Sequence, residues 1–124
     1  KIVLDISKEW DKISDTKLVM GCVIARNEFI EQNPEAVKAF LKDYKDSITA
    51  VNSDIETAAA LCEKYEIVTP AAAAKAAIPY CNIAFQEGKE LKTNLSAYLN
   101  FLNESNPQSI GGALPKDDFY YEAK

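Results

Sequence analysis

The stretch Lys17-Leu18-Val19-Met20-Gly21-Cys22-Val23-Ile24-Ala25-Arg26-Asn27-Glu28-Phe29-Ile30-Glu31-Gln32-Asn33-Pro34-Glu35-Ala36-Val37-Lys38-Ala39-Phe40-Leu41 decides how the fold is read. It holds an apolar run from Leu18 to Ala25, a short polar segment, and then an amphipathic pattern that starts sharply at Asn33-Pro34. The apolar run is long enough for a strand buried on both faces and too short to cross a membrane. A doubly buried strand needs a sheet covered on both sides, and the rest of the chain supplies little else that looks like sheet. The mismatch predicts a piece of a larger α/β protein.

Working outward, Ile2 to Ile6 predicts a short strand and Ser7 to Ile13 a helical turn capped by Ser7. Trp10 on that turn is expected to pack rather than to bind, although an indole at a cleft edge is also a common ligand platform. On the C-terminal side, Asn33 can cap and Pro34 suits a first helical position. Val37, Phe40, Leu41, Tyr44, Ile48 and Val51 then form one apolar stripe at helical spacing, with Lys38, Lys42, Asp43, Lys45 and Asp46 off it.

Ser53-Asp54-Ile55-Glu56 has the pattern of a capping box and predicts a second helix carrying Ile55, Ala58, Ala59, Cys62 and Tyr65. Thr69-Pro70 opens a third, alanine-rich helix from Ala71 to Ala77 that Pro79 ends. Tyr80 to Phe85 is expected to be extended, with Cys81, Ile83 and Phe85 on one side. Gly88 precedes a fourth helix whose stripe is Leu91, Leu95, Tyr98, Leu99 and Leu102. Asn106-Pro107 and Gly111-Gly112 break the pattern, and the remaining tail reads as loop anchored by aromatics.

Composition narrows the function classes. The 124 residues are 48% apolar and 27% charged, as in a soluble globular protein. A net charge of -5, from 14 basic and 19 acidic residues, disfavours nucleic acid or an anionic membrane surface as the main partner. The chain has no histidine, which removes Ser-His-Asp and Cys-His nucleophile pairs and His-based metal sites. No Gly-rich phosphate loop, GxSxG or HExxH motif is present. The residues therefore point to no enzyme, no metal and no cofactor.

Cys22, Cys62 and Cys81 match no zinc or redox spacing. They read as small buried hydrophobes, with a Cys22–Cys81 disulfide as the alternative. The sequons Asn94-Leu95-Ser96 and Asn103-Glu104-Ser105 fall on a predicted helix and read as chance matches rather than loop acceptors. The start at Lys1-Ile2-Val3-Leu4, without Met or a visible signal peptide, reads as a processing boundary.

The order of features resembles the C-terminal part of solute-binding proteins of ABC importers, in particular the nitrate, sulfonate, taurine and thiamine-precursor binding family. The residues that carry the resemblance are Met20-Gly21-Cys22 through Arg26, Glu28-Phe29-Ile30, Asn33-Pro34-Glu35-Ala36-Val37-Lys38-Ala39-Phe40-Leu41 and Ser47. Further along they are Ile78-Pro79-Tyr80-Cys81-Asn82-Ile83, Asn106-Pro107 through Leu114-Pro115, and Asp117-Asp118-Phe119-Tyr120-Tyr121.

The resemblance implies a helix-dominated α/β chain: the C-terminal portion of a two-lobed type II periplasmic-binding-protein fold, with a few short strands and about four main helices. Residues 1–26 would be the inter-lobe strand region, and 27–124 the helical completion of one lobe with the C-terminal tail. Such a protein binds a small anionic or heteroaromatic solute by hinge closure and presents it to a membrane permease. It works outside the cytoplasm, in the periplasm or as a surface lipoprotein.

Met20, Gly21, Cys22 and Asn82 are the expected ligand-facing positions. The partners implied are the solute, the permease and the N-terminal part of the same protein. Standing alone, the chain is expected to self-associate through the edge of the 18–25 strand. A reading from another class is a small α-helical interaction module that offers an alanine-rich groove to a partner helix and binds no ligand.

Overall fold

The computed structural model describes residues 3–122. Among them the secondary structure is entirely helical: six α-helices and three short 3₁₀ turns, with no strand and no sheet. This overturns the α/β expectation and, with it, the type II periplasmic-binding-protein fold. The physical reason lies in what a strand requires. A strand is held by hydrogen bonds to a neighbouring strand, so an apolar, β-branched run does not become one by itself. From Leu18 to Ala25 no main-chain group is paired with another segment among the described residues, and the run is irregular chain. Of the expected Ile2–Ile6 strand, Ile2 lies outside the described residues, Val3 to Asp5 form no strand, and Ile6 is already helical. No helix is long and apolar enough to cross a membrane among the described residues.

The chain divides into two units, one made of residues up to 24 together with those from 86 onward, the other of residues 25–85. In the first unit, helix α1 spans Ile6–Trp10. Its cap is Asp5, whose carboxylate accepts the Lys8 N–H at 3.3 Å, so the helix starts one residue before Ser7. Trp10 is 6% exposed. It packs edge-on against Tyr98 and Phe101, with ring centroids 5.9 and 5.6 Å apart, and its indole N–H donates to the Thr16 carbonyl at 3.0 Å. A buried indole needs such an acceptor, and here the loop provides it.

The long helix of this unit runs over Gly88–Ser105. It turns Leu95 fully inward, with Leu91, Tyr98, Leu99 and Leu102 half-buried on the same stripe. Asn106 ends it and starts the 3₁₀ turn Pro107–Ile110 by accepting the Gln108 N–H. Gly111 and Gly112 have φ of 83° and 89°, a backbone region that glycine enters without the cost of a Cβ. The tail is anchored on the long helix: Ser96 donates its hydroxyl proton to the Tyr120 oxygen at 2.9 Å, and Lys92 pairs with Asp117 at 2.8 Å.

In the second unit, α2 spans Asn27–Gln32, α3 Pro34–Ser53, α4 Ile55–Lys64 and α5 Ala71–Ala77. The long helix Gly88–Ser105 of the first unit is then α6. The segment expected to be merely polar is thus α2. The side chain of Asn33 faces back, its amide donating to the Phe29 carbonyl at 3.1 Å, so it closes α2 rather than capping α3.

Asp54, not Ser53, caps α4, accepting the Thr57 N–H at 3.0 Å and the Thr57 hydroxyl at 2.6 Å. Ala58, Ala59, Ala74 and Ile78 form the buried core, with Val51, Ile55, Cys62, Ala71 and Ile83 packed around it. Ala58, Ala59 and Ala74 of the alanine-rich pattern serve close approach of α4 and α5. The stripe of α3 is fully buried only at Ile48, with Val37, Leu41 and Val51 half-buried. Phe40 and Tyr44 on the same stripe are exposed and stack on each other.

Candidate functional site

The four sequence-predicted positions fall in different units: Met20, Gly21 and Cys22 in the first, Asn82 in the second. Met20 lies on the irregular run between Lys17 and Arg26 and is 67% exposed. Gly21 has open space where a Cβ would stand, so nothing there demands glycine on steric grounds. Cys22 is an exposed free thiol. Val23 and Ile24 continue the run at 53% and 79% exposure. The run therefore presents an apolar surface to water instead of forming strand packing. Its start is fixed by Asn94 of α6, whose side-chain oxygen accepts the Lys17 N–H.

Asn82 stands on a different kind of support. The extended reading of Tyr80 to Phe85 is corrected in its first half. Tyr80 belongs to the 3₁₀ turn Ile78–Tyr80, and Asn82 has φ of 49°, a left-handed conformation that asparagine tolerates better than most residues. Cys81 is exposed while Ile83 and Phe85 are half-buried, and the Cys81 thiol donates to the Ala77 carbonyl at 3.4 Å. Beyond Asn82 the chain is pinned twice. The Asn52 amide donates to the Ile83 carbonyl at 2.9 Å, and Phe85 packs on Tyr44, with the Lys45 ammonium 5.5 Å from its ring centroid. Asn52 and Phe85 were missed as positioning residues. The only signal was a polar residue near the end of α3, which does not reveal a partner 31 residues away.

Cysteine burial is corrected in two of three cases. Cys62 is half-buried against the alanine core, whereas Cys22 and Cys81 are exposed, and all three are free. Among the described residues no cluster of three or more Cys, Asp or Glu could hold a metal ion. Two carboxylates have lowered pKa values. That of Asp54 is lowered first by the Thr57 hydroxyl and next by the Thr57 N–H, and that of Asp117 by its hydrogen bond and charge contact with Lys92. Asp54 serves a helix end and Asp117 the tail anchor; both are structural.

Trp10, the other platform considered, is buried among aromatics and its indole N–H is engaged, so it packs. Comparison with protein-family models, with curated proteins and with solved structures finds no match to the chain in any of the three.

Proposed function

We propose that this chain is the C-terminal part of the extracytoplasmic solute-binding component of an ABC importer. One observation carries the reading: the ordered series Met20-Gly21-Cys22, Asn33-Pro34-Glu35-Ala36-Val37, Ile78-Pro79-Tyr80 and Asn106-Pro107 to Tyr121, which resembles that family along nearly the whole chain. The exposed apolar run supports it, because Met20, Val23 and Ile24 in water describe a surface that further protein would cover. The solute is small and anionic or heteroaromatic, and the partners are the permease and the N-terminal part of the same protein. Transport rests on a population shift: the solute binds more tightly to the form that the permease recognises and so favours it. Met20, Gly21, Cys22 and Asn82 are the contacts this chain contributes.

The interaction-module reading meets an obstacle in Ala58, Ala59 and Ala74. These side chains are buried against one another, so the alanines that remain open to a partner helix are Ala60, Ala72, Ala73, Ala76 and Ala77.

Isothermal titration of the protein carrying this chain together with its N-terminal part, against nitrate, sulfonates, taurine and pyrimidine thiamine precursors, tests the proposal. The expected result is saturable binding of one class, weakened at least several-fold by Asn82→Ala or Met20→Ala. A folded protein that binds none of them overturns it.

A further inference from the structure

We draw no further inference here: the strongest candidate, the exposed apolar run from Met20 to Ile24, already belongs to the proposed reading, and beyond it nothing in the structure shows what covers that surface.

Discussion

The side-chain oxygen of Asn94 accepts the main-chain N–H of Lys17 at 3.1 Å, while its amide donates to the Gln86 Oε1, also at 3.1 Å. One buried side chain thus ties the start of the apolar run and the approach to α6 to the same point. Asn94→Ala leaves the Lys17 donor without its partner in a partly buried setting. It is expected to cost about 1–3 kcal/mol in denaturant unfolding. The same engagement bears on the sequon Asn94-Leu95-Ser96. An amide buried and bonded in the fold is not presented to a glycosyl-transfer enzyme, and mass spectrometry of protein from a glycosylating host is expected to find Asn94 unmodified.

Trp10 is the only tryptophan, so its fluorescence reports the first unit directly. Trp10→Phe keeps most of the packing against Tyr98 and Phe101 but loses the bond to Thr16, for an expected loss of about 1 kcal/mol. Trp10→Ala also opens a cavity and is expected to cost about 3–5 kcal/mol. Equal losses in urea titrations followed by circular dichroism would contradict the separation of bond from packing.

Ala59 and Ala74 are each 2% exposed in the α4–α5 contact, whereas Ala60 on the same helix faces solvent. Ala59→Leu or Ala74→Leu forces the helices apart and is expected to destabilise by about 1–3 kcal/mol. Ala60→Leu is expected to stay within about 0.5 kcal/mol of the parent. Thermal or denaturant melts of the three variants provide the check.

The lowered pKa of Asp54 makes the start of α4 sensitive to acid. A carboxyl whose folded pKa lies below its unfolded value stabilises fully above the unfolded value, about pH 4. That contribution is lost as the pH falls through the lower, folded value. Helicity by circular dichroism is expected to separate parent from Asp54→Ala near neutral pH and to bring them together in strong acid. Asp54→Asn keeps a capping acceptor without the charge and is expected to remove the part of the pH dependence that Asp54 contributes, leaving that of Asp117, while preserving the helix.

Local chemistry was legible where it acts over a few residues. Pro34, the Asp54 region, Pro70 and Gly88 marked helix starts to within about two residues; the stripe of α6 gave its inward face, whereas that of α3 did so only in part, Phe40 and Tyr44 being exposed. The failures were of two kinds. Asn27–Gln32 forms a helix with no side-chain cap to announce it, the residue at its N-cap position being Arg26. Leu18–Ala25 reads as strand because its residues would suit one, yet pairing is a property of two segments and no second segment answers it among the described residues. For the candidate positions, the exposure of Cys22 and the left-handed backbone at Asn82 were equally invisible, since both depend on neighbours distant in sequence or on a turn that the apolar alternation of Tyr80 to Phe85 disguised.

The methyl-lined contact of α4 with α5 has a kinetic meaning. Alanine gives up no rotamer freedom on burial and removes little area from water, at roughly 0.8 kcal/mol per buried CH₂-sized group. Its geometry is demanding, but the alanines themselves resist parting with little free energy, and Ile78, Ile55 and Val51 around them supply the larger burial. Amide hydrogens of α4 and α5 therefore have a route to solvent through local opening that does not require the whole unit to unfold. The order of residues 55–77 is set by shape and held lightly, so a covering surface could change how long it lasts without changing what it looks like.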